Sequence, residues 1–463
     1  LARNLAIFGG SFNPPGIHHR EVAAQLAAHF DELRVVPCGP RPDKLITNDV
    51  EPVYRAAMCD MNFAGLAKVH VDLFDLEANT FTRTHDLQDR FHGGGTVWHV
   101  AGADLMAGGA QGQSVVQREW ERGEELWAHS HWAIVKRPGY ELAPGDLPPN
   151  SRVFESEHSG ASTSIRQRVF QHEPYEHLVL PRIARFIERH GLYRGHAPNR
   201  RTRFVVESPR VMTYADERNP RAIEIAAALG THDTTDPDVI VVVGGDGTML
   251  RAIRQHWRRR VPFYGINTGH VGFLLNDHGP EPLANGPPFG AKPTELLAQH
   301  LPLLWVETID RTGEHRAALA FNDAWVERAT GQTAWIRVGV NGQERIAQLV
   351  ADGALVATAA GSASYARAMG ATPVPLGTPA LLLVGSNVLS PDGWRPVVLP
   401  WDSELELTTL DPEKRPLRGY VDGVSHGEVS SMRVRTSRIA AVELAFDPQH
   451  DPAEKLARIQ FPR

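Results

Sequence analysis

At 463 residues the chain is too long for one ordinary core and implies two or three domains, and with 42% apolar and 22% charged residues it has the balance of a soluble globular protein. The net charge of -6 gives no reason to expect a nucleic-acid partner, and the only cysteines, Cys38 and Cys59, support neither a disulfide framework nor a cysteine-based zinc site. No apolar run is long enough to cross a membrane and the N-terminal residues lack a signal-peptide pattern, so a cytoplasmic protein with no membrane partner is expected.

In chain order, residues 5–8 are a short apolar strand candidate. The strand ends in Gly9-Gly10-Ser11-Phe12-Asn13-Pro14-Pro15-Gly16-Ile17-His18-His19. A helix follows, with Val22, Leu26 and Phe30 on one side and Ala23 and Ala27 beside them. Further strand candidates at 33–37, 69–73, 97–101 and 132–136, with helical segments between several of them, predict a doubly wound parallel sheet. Ligands of such sheets sit at the carboxyl ends of the strands, which is where the glycine pair and the histidine pair fall.

These motifs resemble, in order, the nicotinate/nicotinamide mononucleotide adenylyltransferases. The resemblance is carried by Gly9-Gly10-Ser11-Phe12-Asn13-Pro14-Pro15 with His19, Ala101-Gly102-Ala103-Asp104, Trp120 with Glu124-Glu125-Leu126, Arg137-Pro138-Gly139, Ser162-Thr163-Ser164-Ile165-Arg166, and the closing stretch 181–193. In adenylyl transfer the mononucleotide's 5′-phosphate attacks the α-phosphorus of ATP and pyrophosphate leaves. No covalent enzyme intermediate is required, so catalysis is positioning plus charge stabilisation. The resemblance implies His18, His19 and Arg166 as catalytic groups. His18, His19, Lys44 and Arg166 are read as cations for the triphosphate, with backbone N–H groups around Gly9, Gly10, Ser11 and Phe12. Ser162 and Thr163 are expected to cap the helix of Arg166 and donate to a phosphate. Gly102 and Asp104 are expected at a ribose hydroxyl or a Mg²⁺ water, and Trp120 on the pyridine ring. One departure stands out: the family writes H-x-G-H where this chain has Gly16-Ile17-His18-His19, so the first histidine is replaced and His18 occupies the usual glycine position.

Residues 195–201 carry Gly and Pro without apolar periodicity and read as a linker between a domain over 1–194 and another over 202–463. In the second, 203–206 and 239–243 read as strands with a helix over 220–229 between them. Asp238 begins D-V-I-V-V-V-G-G-D-G-T-M-L, a buried strand ending in Gly244-Gly245-Asp246-Gly247-Thr248 and turning helical through Met249, Leu250, Ala252 and Ile253. Glycines at such a turn admit phosphate to the backbone. An Asp among them repels phosphate unless it binds a metal or takes a proton; the plainer reading is an N-cap. Residues 263–266 form the next strand, leading into Asn267-Thr268-Gly269. Residues 278–292 read as an irregular loop. After it come short β-branched segments: a hairpin 335–340/345–350 about Asn341-Gly342, then strands at 396–399, 404–409, 417–421 and 432–434. The inferred arrangement is an α/β lobe (202–277) and a mainly β-rich lobe (295–445).

This half resembles NAD kinase from end to end, on Gly244-Gly245-Asp246-Gly247-Thr248 with Arg251, Asn267-Thr268-Gly269 with Gly272-Phe273-Leu274, Phe321-Asn322-Asp323, Asp352-Gly353, Thr358, Gly361-Ser362, Tyr365 and Asp422-Gly423. The resemblance implies phosphorylation of the adenosine 2′-hydroxyl of NAD by ATP, with Asp246 accepting the hydroxyl proton. Gly245, Gly247, Thr248, Arg251 and Asn267 would bind phosphates and nucleotide. Asn322 and Asp323 would hold the adenine and ribose groups, and Asp352 the nicotinamide side, with Thr358, Ser362, Tyr365 and Asp422 completing the site. Ala359, Ala360 and Ala363 replace that family's Pro, Thr and Thr. ATP is the implied co-substrate, Mg²⁺ or another divalent cation the implied cofactor, with no metal-ligating residue singled out. Oligomerisation through the kinase domain is also implied. The expected function is a bifunctional transferase using nicotinamide or nicotinate mononucleotide, ATP and NAD. Two alternatives stay open at this point: an active kinase with an inactive adenylyltransferase-like domain, and a non-catalytic sensor of NAD or ATP.

Overall fold

A computed structural model describes residues 3–41, 50–93, 95–139, 141–157, 160–230, 235–269, 272–277, 289 and 293–461. The chain forms two compact units, Leu1–Pro198 and Asn199–Arg463. Lys44 and, apart from Phe289, the stretch 278–292 lie outside the described residues.

The first unit is built on six strands in the order Val69–Val71, Glu32–Pro37, Asn4–Gly10, Thr96–Gly102, His131–Lys136, Ser151–Glu155, every pairing parallel. Alternation along the strands supplies two cores. Ala6, Leu33, Val35 and Ala133 face Leu26 and Phe30 on one side, and Ile7, Val36 and Val97 face Leu87 on the other. The helix Ile17–Ala27 buries Val22, Ala23, Leu26 and Ala27, as its spacing requires. Strand order reverses between Asn4–Gly10 and Thr96–Gly102, and the carboxyl ends of these two neighbours border the crevice where such sheets take ligands. The sequence did not announce Ser151–Glu155, whose only buried residue is Phe154. The strand expected over 69–73 stops at Val71, because the helix Phe74–Ala78 follows.

The second unit contains, among the described residues, a sheet of 15 strands. Its parallel part runs Val211–Ala215, Val239–Gly244, Phe263–Asn267 and then the end of Val424–Phe446. This corrects the expected topology. The strand preceding the helix Pro220–Leu229 is Val211–Ala215, whereas Arg201–Val206 pairs antiparallel with Thr294–Asp310. Arg201–Val206 has no buried residue, so it belongs at an outer position, while all six residues of Val239–Gly244 are buried. The hairpin Ala334–Val340/Gln343–Ala351 turns on Asn341 and Gly342 at φ of 52° and 72°, the left-handed pair of a tight hairpin turn. Thr294–Asp310 and the 23-residue Val424–Phe446 form a long antiparallel ladder, interrupted at Pro302/Leu304 and Ile309/Asp310. The last described element is a helix, Pro452–Gln460, capped by Asp451, whose carboxylate accepts the N–H groups of Ala453 and Glu454 at 2.8 and 3.2 Å. No helix among the described residues is long and apolar enough to cross a membrane.

Candidate functional site

In the second unit the site begins where Val239–Gly244 stops. A Cβ on Gly244 would lie 2.6 Å from the Thr248 hydroxyl, so glycine lets the following helix start directly against the strand end. Gly245 and Gly247 differ: nothing lies within 4 Å of a Cβ on either, and their backbone is open to a ligand. Asp246 opens the helix Asp246–His256, and its carboxylate accepts the N–H groups of Phe273 at 3.0 Å and Leu274 at 2.9 Å. Burial pushes its pKa up; the N–H groups of Leu274 and Phe273, and then the Lys455 ammonium, pull it back. An oriented carboxylate of raised basicity at a helix N-terminus suits proton acceptance.

Around it, the Thr248 hydroxyl donates to Asp216 at 3.2 Å and accepts from Arg251 at 3.1 Å, and Arg251 also lies 3.6 Å from Asp216. Asp216 follows Val211–Ala215, and missing that strand hid its carboxyl end. Asn267 holds a turn: its Oδ1 accepts from Gly269 N–H and its Nδ2 donates to Asp277, both at 3.0 Å.

A second cluster forms around Asp422, whose own φ is 45°. Its carboxylate accepts the N–H groups of Phe321, Asn322 and Asp323 at 2.7, 2.9 and 3.2 Å, so it shapes the turn that presents Asn322 and Asp323. Asn322 is 5% exposed and, among the described residues, its Oδ1 has no hydrogen-bond partner. A buried acceptor left unpaired is unfavourable in the free protein and is poised for a donor on a ligand. Asp323 is buried beside Asp422, and burial first and that carboxylate next push its pKa up to about 7. The Thr358 hydroxyl donates to the Phe321 carbonyl at 2.7 Å and accepts the Gly361 N–H at 3.1 Å. Ser362, fully buried, donates to the Ala359 carbonyl at 2.7 Å and accepts from Val374 N–H at 2.9 Å, so both hydroxyls fix the loop. Tyr365 remains 40% exposed, edge-on to Trp325, which stacks on Tyr420. Arg254, from the Asp246 helix, donates to the Asp422 carbonyl at 2.8 Å and ties the two clusters together.

Asp352 is not brought to them. Asp323 pairs with Ala357 and Glu327 with Gly353, so Asp352 lies off the far end of the strand Gly353–Thr358, about 15–20 Å away at ~3.3 Å per residue. Its carboxylate is taken by Arg328 and Asn387, each at 2.7 Å.

In the first unit, Gly9 and Gly10 end one central strand, and Gly102 ends its neighbour. Asp104 is exposed and folds back over Gly102, where a Cβ would lie 2.2 Å from its Oδ1. Ser162 does not cap its helix, since the N-cap is Ala161; it donates to the Pro14 carbonyl at 2.8 Å, while Arg166 donates to the Asn13 carbonyl and to the Thr163 hydroxyl. These bonds dock the Ser162–Phe170 helix onto the loop after Ser11. The Phe12 ring is buried against Phe8, Phe63 and His19, so its side chain serves the core. Trp120 is half-buried against Trp132.

The histidines correct the expectation of two cations. The Gly16 N–H donates to His19 Nδ1 at 3.1 Å, which leaves the ring proton on Nε2. Burial, then His18, then Arg137 hold the His19 pKa well below its ordinary value, so His19 is a neutral Nε2–H donor. Its ring lies 3.9 Å from that of His18. The Gly16 departure acquires a reason here: a Cβ at Gly16, or at Gly160, would lie 2.7 Å from the His18 ring. The side chain missing at 16 is what makes room for the histidine at 18.

Against known proteins, a family model described as cytidylyltransferase-like matches residues 7–169, and one described as the ATP-NAD kinase N-terminal domain matches residues 179–280. NAD kinases of Xylella fastidiosa and Xanthomonas campestris are 34% and 33% identical over 260 and 263 residues, 55% of this chain in each case and 96% and 98% of the relative. The chain belongs to the NAD kinase family. A solved NAD kinase from Archaeoglobus fulgidus in complex with ATP aligns at 22% identity over 53% of this chain and 97% of its own, with a TM-score of 0.39. Relative to a lone NAD kinase, this chain carries the cytidylyltransferase-like domain ahead of the kinase domain.

Proposed function

We propose that the chain is a bifunctional transferase that makes NAD, or its acid form, from a pyridine mononucleotide and ATP, and then phosphorylates NAD at the adenosine 2′-hydroxyl to give NADP. The observation that carries the second activity is Asp246: a carboxylate among open glycines, aimed by two backbone N–H groups and made more basic by burial. The 2′-hydroxyl proton passes to Asp246, the oxygen attacks the γ-phosphorus of ATP, and ADP leaves. Gly245, Gly247, Thr248 and Arg251 lie beside it for phosphates, and Asn322, Asp323 and Tyr365 for the dinucleotide. Asp352 takes no part within one chain, and the proposed homo-oligomer is left to be tested by its size in solution.

Support for the first activity is the meeting of Gly10, Ser11, His18, His19, Ser162, Thr163 and Arg166 around one loop at the reversal of strand order. A neutral His19 donates a hydrogen bond to a phosphate as a cation would, with less attraction. Arg166 and Arg137 supply the positive charge. Among the described residues no three His, Cys, Asp or Glu side chains gather to hold a metal. The divalent cation is proposed to enter with ATP, held by its phosphates.

The test is to incubate the chain with ATP, Mg²⁺ and either mononucleotide, and to separate products by chromatography. NAD followed by NADP is expected. NADP formed only from added NAD leaves the first domain without activity, and binding without product removes both reactions.

A further inference from the structure

We propose that Lys455 is a positioning residue for Asp246, acting through the turn 272–275, a role that rests on the kinase reading of that site. The C-terminal helix Pro452–Gln460 turns Ile459 and Lys455 inward, 6% and 8% exposed. An ammonium is unfavourable in such a place unless its protons are taken. Lys455 Nζ donates to the Gly272 carbonyl at 2.5 Å and to the Leu275 carbonyl, and lies 3.6 Å from the Asp277 carboxylate.

Those two carbonyls bracket Phe273 and Leu274, the residues whose N–H groups hold the Asp246 carboxylate. One side of the turn is gripped by the lysine and the other grips the proton acceptor. Glycine at 272 keeps the turn closed: a Cβ there would lie 2.7 Å from Leu275 and 2.9 Å from Asn267. Asp277 extends the tie, because it accepts from Asn267 at 3.0 Å and faces Arg458 at 3.8 Å. A helix that only needed anchoring would be served by apolar residues such as Ile459. Here a buried cation takes its partners from the Asp246 turn, and its charge also favours the ionised form of Asp246.

The test compares Lys455→Met and Lys455→Arg in the full chain, measuring kcat and KM for NAD and ATP together with thermal stability. K455M is expected to lower kcat for NADP formation about tenfold or more, with both KM values within about twofold and NAD synthesis unchanged. K455R is expected to restore kcat to within about threefold of the parent. A K455M enzyme with parental kcat overturns the proposal, as does equal loss in K455M and K455R. If K455M does not fold, Asp277→Asn carries the test: a fall in kcat of about threefold at unchanged KM supports the tie, and an unchanged kcat overturns it. A parent chain that forms no NADP at all sinks the kinase reading instead, so the two failures are told apart.

Discussion

In the proposed reactions the two units handle phosphate chains by opposite means. In the first, the groups around the loop after Gly10 are donors: the His19 Nε2–H, the Arg166 guanidinium and the hydroxyls of the Ser162–Phe170 helix. In the second, the groups at the centre are carboxylates, Asp246 and Asp422, each fixed by backbone N–H bonds, with Asp323 beside the latter. The difference follows the chemistry proposed for each. A mononucleotide phosphate is already an anion and needs no base to attack ATP. A sugar hydroxyl needs its proton removed, and a carboxylate survives beside phosphates only when the fold pins it and alters its basicity.

The contrast breaks most sharply at Asp246. Asp246→Asn keeps the acceptor geometry on one oxygen and removes the base, so NADP formation is expected to fall by about 10³ or more while NAD synthesis stays within about twofold. Loss of both activities contradicts independent sites. In the other unit, His19→Ala removes a phosphate donor and a packing ring together. Adenylyl transfer is expected to fall about 10²-fold with the kinase reaction untouched, and an unaffected first step removes His19 from the mechanism. Gly16→Ala tests the same unit more gently. The added methyl meets the His18 ring at 2.7 Å, and about a tenfold loss of adenylyl transfer is expected if His18 stands in for the missing histidine.

Much of this was legible in the sequence, for identifiable reasons. The strand Val239–Gly244 is continuous in Val and Ile because it is buried on both faces, and a helix must follow the glycines, so the place of Asp246 could be read directly. Pro220–Leu229 and Leu417–Val421 came out with their observed bounds. Elements whose burial is one-sided or interrupted were hidden. Val424–Phe446 carries Ser, His, Gly and Glu at 425–428, which interrupt any β-branched run, so only 432–434 stood out from a 23-residue strand. Lys455 gave no signal, because a lysine on an amphipathic helix is ordinarily solvated and only the fold brings it to the Asp246 turn. Several of the expected site residues also hold the local fold, which spacing alone does not show: Asn267 holds its own turn, Ser162 and Ser362 fix loops, and Asp422 organises the Asn322–Asp323 pair.

The smallest expected effect is also the most specific to the carboxylate-based unit. Asp323 has a folded-state pKa of about 7, raised by burial and by Asp422 above its ordinary value. For an acid whose pKa is raised on folding, both states are protonated at low pH and the group carries no penalty. As pH climbs from about 4 to about 7 the unfolded chain ionises while the folded one keeps its proton, and stability is lost across that window. Asp323→Asn holds no proton to exchange, so its thermal midpoint is expected to fall less than the parent's over the same range, measured by calorimetry at matched ionic strength. If the parent and the variant track each other in parallel from about pH 4 to about pH 7, Asp323 is ionised in the free protein. The contrast would then shrink to Asp246 alone, since the Asn322–Asp323 turn would present an ordinary carboxylate to the dinucleotide.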